Sequence, residues 1–277
     1  MNLRAVLSQS PGAADPRLFQ IATLLGLLVM GVAHFDLAAS WQQAATTLSG
    51  ALGAQFVFAR WQNKTMDWRS PAITGLSLSL LLRTHDPRLW ALSGAIAIGG
   101  KFLLRFNGKH LFNPACFAIV TLLLGTHQVW VSPGQWGALA WSAAALACAA
   151  GLVLSRAGRV DMALAFLCAW GALLAARCVS LGDPWTIPIH QIQSGALLIF
   201  ACFMITDPRS TPDARLARIL FAALVAALAH LLQFRFQIRE GLFYALTMVS
   251  FTTPLLDTLC PKERFQWNQT HRIAGAA

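Results

Sequence analysis

Apolar positions in this chain fall in runs of roughly 20 residues, the length that crosses a bilayer as a helix, and the runs recur from Leu18 to the C-terminus. Short polar or Pro/Gly-bearing breaks separate them. The pattern predicts ten spans over 18–37, 42–59, 70–83, 88–105, 111–130, 135–154, 160–178, 187–206, 214–233 and 241–259. The third run, SPAITGLSLSLLLR, is the exception. Its roughly 14 residues reach only about 21 Å against a hydrocarbon core of about 30 Å, so it is expected to thin the bilayer locally or to end as a half-helix inside the protein.

The chain also contains itself twice. TGLSLSLLLRTHDPR (Thr74 to Arg88) resembles SGALLIFACFMITDPR (Ser194 to Arg209), and HLFNPACFAIVTLL (His110 to Leu123) resembles, more weakly, GLFYALTMVSFTTPLL (Gly241 to Leu256). Spans 3 and 5 thus pair with spans 8 and 10. An odd offset of five gives the two halves opposite orientation. The expectation is a 5+5 inverted repeat, a transporter-type arrangement in which short or interrupted helices at matching places mark the site. The division would be 1–17 as a tail, 18–132 and 133–260 as the repeats, and 261–277 as a second tail.

Composition agrees with a membrane chain. Of 277 residues 56% are hydrophobic and 12% charged, with a mean hydropathy of +0.56; a soluble domain carries about 25% charged residues. The net charge of +10 could suggest nucleic acid, but the charges are placed otherwise. With the N-terminus inside, 16 of the 21 basic residues fall on cytoplasmic segments, and Arg83, Arg88, Arg177, Arg235 and Arg239 fall outside. That bias orients the chain with both termini cytoplasmic and makes the charge a collar facing anionic headgroups. A bacterial inner membrane, with lipid as partner and no nucleic acid, is the expected setting. The six Cys form no C-x-x-C pair and read as small core residues. Trp41, Trp61, Trp68, Trp130, Trp136 and Trp185 fall at span ends, as interfacial belts do. No nucleophile–base pair, phosphate loop or ligand-spaced His/Cys cluster is evident.

Polar residues inside spans are costly and default to function. Asn113-Pro114 opens an apolar run, where Pro loses no N–H and Asn can cap free amides. The matched motifs single out Thr74, Gly75 and Asp86 in one half and Ser194, Gly195, Thr206 and Asp207 in the other. Lys101 lies about one turn from a cytoplasmic span end, where it either snorkels or meets an anionic group. Asp257 lies near the inner end of span 10. His34 and Asp36 at the outer end of span 1, with His190 and His230, read as interfacial or satisfied groups.

The stretches GKHLFNPACFAIV, SGALLIFACFMITDPRSTP and EGLFYALTMVSFTTPLLD resemble the signatures of the NqrB/RnfD family, membrane components of the sodium-pumping NADH:quinone reductase (Nqr) and of the Rnf electron-transport complexes. The resemblance runs from Pro71 to Asp257. It implies an all-α fold of ten transmembrane helices similar to urea and ammonium channels, and a part in electron transport coupled to ion transport beside other Rnf/Nqr-like subunits. Members of those complexes carry flavin mononucleotide on a Thr in a Ser-Gly-Ala-Thr motif. This chain has GTHQVWVSPGQWG in that region, and its Ser194-Gly195-Ala196 is followed by Leu197. The expected cofactor is therefore a flavin, FMN or riboflavin, held non-covalently if at all. The alternative is a stand-alone channel or transporter for a small solute, a flavin among the candidates. Acid-precipitated, denatured protein is expected to retain no flavin, checked by fluorescence of its gel band under ultraviolet light; a fluorescent band would overturn the reading.

Overall fold

The computed structural model describes residues 15–34, 39–132 and 158–265. Among these lie eleven α-helices: α1 (Pro16–His34), α2 (Trp41–Trp61), α3 (Arg69–Leu81), α4 (Pro87–Leu103), α5 (Pro114–Gly125), α6 (Val160–Leu181), α7 (Thr186–Ile192), α8 (Gly195–Ile199), α9 (Arg215–Phe234), α10 (Gly241–Ser250) and α11 (Thr253–Leu259). A π-helical turn, Phe200–Met204, continues α8. Two small antiparallel ribbons join them. Strand β1 (Leu82–Thr84) pairs with β4 (Val129–Val131), Leu82 opposite Val131, and β2 (Arg105–Phe106) pairs with β3 (Lys109–His110). The β2–β3 turn holds Asn107 and Gly108 at φ of 49° and 78°, the double positive φ that Asn-Gly turns supply at least cost.

Ten spans in a 5+5 inverted repeat similar to urea and ammonium channels are not what this structure contains. Among the described residues three helices are long and apolar enough to cross a membrane: α1 over Pro16–Ala33, α6 and α9. The number rises to five if each of two bent pairs counts as one span. The reason is visible in how the expected spans end. Helix α3 stops after 13 residues because Leu82–Thr84 turns into a ribbon, and the buried Arg83 guanidinium donates to the carbonyls of Ser79, Leu80 and Leu82 at 2.8, 3.0 and 2.9 Å. Helix α5 has 12 residues, about 18 Å of rise. Span 8 breaks into α7 and α8 with its π turn, bent by 47°, and span 10 into α10 and α11, bent by 48°. Span 2 forms α2, whose Gln43, Thr47 and Gln55 face the interior. Span 6, the boundary expected at 132/133, both tails and Asp36 lie wholly or largely outside the described residues.

The protein is nonetheless a multi-pass membrane protein. Leu164, Val179, Leu216, Leu220 and Leu224 project outward from α6 and α9, an apolar surface suited to lipid. Trp41, Trp61, Trp68, Trp130 and Trp185 are all exposed, as interfacial residues should be. The core runs between α3, α5, α6, α8, α9 and α10. Through it passes a file of rings: Phe166 against Phe200 at 5.3 Å, and Phe200 edge-on to Phe243 at 5.6 Å.

The tightest helix crossing joins α2 to α4. A Cβ on Gly50 would lie 2.2 Å from the Ala91 carbonyl oxygen, and one on Gly94 would lie 2.5 Å from that of Thr47. Small residues there let the backbones touch, which drives helix association where lipid gives no hydrophobic push. Gly50→Ala is expected to destabilise by about 1–3 kcal/mol. Gly53→Ala, one turn on, meets nothing within 4 Å and is expected to be neutral or to stabilise by up to about 1 kcal/mol. Melting of both variants in detergent checks the contrast.

Candidate functional site

The three motif stretches converge. Asn113 caps α5 by accepting from the Cys116 amide at 3.0 Å, and its Nδ2 donates across to the Met204 carbonyl at 3.2 Å. The His110 amide donates to the Arg209 carbonyl at 3.1 Å. The Cys116 thiol reaches the Phe243 carbonyl at 3.3 Å. These bonds complete groups that the broken helices leave open. A π turn and a helix end free carbonyls inside the protein; Met204 finds Asn113, and Cys202 accepts the Thr206 hydroxyl at 2.6 Å. Buried polar groups without such partners are costly.

Between these elements lies a cavity of about 90 Å³. Its walls come from α3 (Ser70, Thr74, Ser77), from the start of α5 with His110 before it (Asn113, Pro114, Ala115), and from the turn after the π helix (Thr206, Asp207, Arg209); Arg17 of α1 closes one side. Ser70, Thr74 and Ser77 share a face because they are four and three residues apart on a helix.

Five of the residues that the sequence singles out therefore share one cavity: Thr74, Asn113, Pro114, Thr206 and Asp207. Lys101 stands one layer behind. Its Nζ is buried and donates to Ser70 Oγ at 2.8 Å and Gln55 Oε1 at 3.1 Å, so it does not snorkel. Gly75 faces α2 instead, where a Cβ would lie 2.7 Å from Leu48 Cδ2. Ser194 and Gly195 sit at the start of α8, away from the cavity lining. Asp86 caps α4 through the Arg88 amide at 2.9 Å and lines a separate open cleft with His85, His127 and Trp130. The two Asp-Pro motifs are thus not equivalent in surroundings. Asp257 belongs to a charge cluster: Lys109 Nζ lies 2.7 Å from it and 2.9 Å from Asp213, and Asp257 accepts the Asp213 amide at 3.0 Å.

His110, Arg209, Arg17, Ser70 and Ser77 also line the cavity and are not among the residues that motif and pattern single out. Two of them do leave a trace in the sequence: a hydroxyl stripe, Ser70–Thr74–Ser77, on an otherwise apolar helix. Arg209 and His110 lie within the motif stretches, but only the fold turns them to the same space.

The electrostatics are dominated by cations. Burial pushes His110 down to about 3, and Lys101, Arg209 and Arg105 add to the fall. Burial also lowers Arg105, again helped by Arg209. Asp207 is raised by its burial, against the Arg209 amide and the Ser210 hydroxyl, which both donate to it. Nearby, Arg159 is pushed by burial to about 10. It clamps the same turn through the Pro212 carbonyl at 2.8 Å and Asp213 at 3.6 Å. Arg17 is bound within its own cluster with Asp15 and Asp67. Asp15 is held below its usual range by Arg17 and Arg69, although burial works the other way.

Organic ligands of drug size occupy pockets of about 300–1,000 Å³, above the about 90 Å³ of this cavity. Among the described residues no group of three or more His, Cys, Asp or Glu is placed to hold a metal.

Comparison with known proteins agrees with this reading of the motifs. Residues 127–266 match the model of the NQR2, RnfD, RnfE family; these residues include the second and third motif stretches, while GKHLFNPACFAIV lies before them. Over 128 residues the chain is 32% identical to the D-subunit of the ion-translocating oxidoreductase complex of Escherichia coli (Crooks strain), with 44% of this chain and 34% of the relative aligned. The same identity and coverage hold for the proteins of that name from Shigella boydii serotype 18 and Shigella sonnei. The alignment thus spans about a third of these relatives' length. By the match across half of its length, this chain belongs to the NQR2, RnfD, RnfE family.

Proposed function

We propose that the protein is a membrane subunit of an ion-translocating electron-transport system of the Rnf or Nqr type, working with other subunits in the bacterial inner membrane. The observation that carries this reading is the interlock of the family-like motifs: Asn113 with Met204, His110 with Arg209, Cys116 with Phe243 and Lys109 with Asp257. Segments far apart in sequence are spent on holding one another around a polar cavity, which an inert membrane scaffold would not need. The names of the relatives, subunits of an ion-translocating oxidoreductase complex, supply the class of activity. In this reading the chain contributes the polar opening between broken helices, and its partners supply the electron donors. A second reading, a stand-alone channel or transporter for a small solute, is favoured by the absence of the Ser-Gly-Ala-Thr motif and by a cavity of small-ion size.

Purification of the tagged chain from its native membranes in mild detergent, after cross-linking, separates the two. Related Rnf- or Nqr-type subunits are expected to accompany it. A chain recovered alone that moves a small solute in proteoliposomes would refute the first reading. Within the complex, Asp207→Asn is expected to leave melting nearly unchanged, because Asn still accepts the Arg209 amide, while lowering ion-coupled activity at least tenfold. Asp86→Asn is expected to alter neither, since Asn caps a helix as well as Asp does. Small, equal effects at the two positions would show the motifs to be turn punctuation alone.

A further inference from the structure

We infer that the cavity beside α5 is a binding site for a small oxyanion, a phosphate or carboxylate group. The first ground is an excess of cations over carboxylates. Lys101, Arg105 and Arg209 lie within electrostatic reach of one another, and Asp207 is the carboxylate on the cavity wall. Both Asp207 oxygens are already engaged, one by the Arg209 amide and one by the Ser210 hydroxyl. Among the described residues the Arg209 guanidinium has no hydrogen-bond or ion-pair partner, and Lys101 Nζ binds only neutral oxygens. The Arg17–Asp15–Asp67–Arg69 cluster is paired within itself, and its Asp67 also acts on Lys101, so the excess rests on Arg105 and Arg209 against Asp207. Cations gathered in a low-dielectric interior need an anion nearby.

The second ground is a set of unsatisfied polar groups on the same walls. Ser77 is 3% exposed, and its hydroxyl makes no hydrogen bond among the described residues. His110 is 6% exposed, and its Nδ1 likewise has no partner. Ser70 accepts from Lys101 at 2.8 Å, so its own proton is free for the cavity. Ala115 stands at the second position of α5, where the amide has no intrahelical acceptor and the helix dipole favours negative charge. A guanidinium, hydroxyls and a helix amide on the walls of one space are the components of an oxyanion site. A volume of about 90 Å³ has room for several waters and so for a small oxyanion. A cation placed there would face Lys101, Arg105 and Arg209 against Asp207, whose oxygens are already engaged. The site stands independently of the electron-transport role proposed above.

The anion can be free in solution or carried on a lipid headgroup. The test melts the purified full chain in nanodiscs, titrating inorganic phosphate, with chloride at matched ionic strength as control. One set of discs is zwitterionic phosphatidylcholine, and a second contains phosphatidylglycerol. A free-anion site raises the melting temperature with phosphate in zwitterionic discs, saturably and beyond chloride. A headgroup site shows instead stabilisation by phosphatidylglycerol that no longer responds to phosphate. In either case Arg209→Gln and Ser77→Ala are expected to weaken the response at least tenfold, and Arg88→Gln, in the separate cleft, to leave it unchanged. No stabilisation in either set of discs, or a response that survives both cavity substitutions intact, would overturn the site. The wild-type titration decides even if a variant fails to fold.

Discussion

The constraint on which this architecture rests is that a helix broken inside an apolar protein must find new partners for every backbone group it frees. Water is not at hand there, and an orphaned carbonyl or amide costs several kcal/mol. The chain meets the demand with side chains held at fixed places. Arg83 closes the end of α3, Asn113 serves α5 and the π turn together, and the Thr206 hydroxyl returns to Cys202. Where a group from one broken element satisfies another, the two breaks are brought side by side. The cavity is what remains between them.

The same logic orders the charges. Arg159 and Arg218 are not surface decoration: Arg159 is 2% exposed and holds the 206–214 turn by its carbonyls. Arg218 joins Asp161 of α6 to the Asp213 carbonyl at 2.7 Å. Lys109 gathers Asp213 and Asp257 from the other side. These contacts fix the turn that carries Asp207 and Arg209, and so fix the wall of the cavity. Buried pairs of this kind are weak sources of net stability but are costly to break singly, which makes them suited to setting geometry. Against that rigid background the excess of Lys101, Arg105 and Arg209 over Asp67 and Asp207 stands out.

Much of this protein is legible in its sequence. Hydrophobic runs with few charges identify a membrane chain regardless of packing, because transfer energy adds up along a segment. Asp86-Pro87 and Asn113-Pro114 announce helix starts, since Pro and a capping side chain act within a single turn; both are caps with Pro in the first turn. The motif stretches point to the family and to five residues that line one cavity. What is not legible depends on neighbours. Whether an apolar run stays one straight helix is decided by the partners available to its freed backbone, so runs that read as spans become a 13-residue helix, a 12-residue helix and two bent pairs. The two Asp-Pro motifs look alike as letters. Only the fold places Asp207 at a cationic cavity and Asp86 at an open cleft, for electric potential is a sum over groups in space that sequence order does not list. Lys101 reads as a snorkelling side chain until α2 and α3 close over it, and His110 and Ser77 acquire meaning only where three distant segments face one another across a small gap.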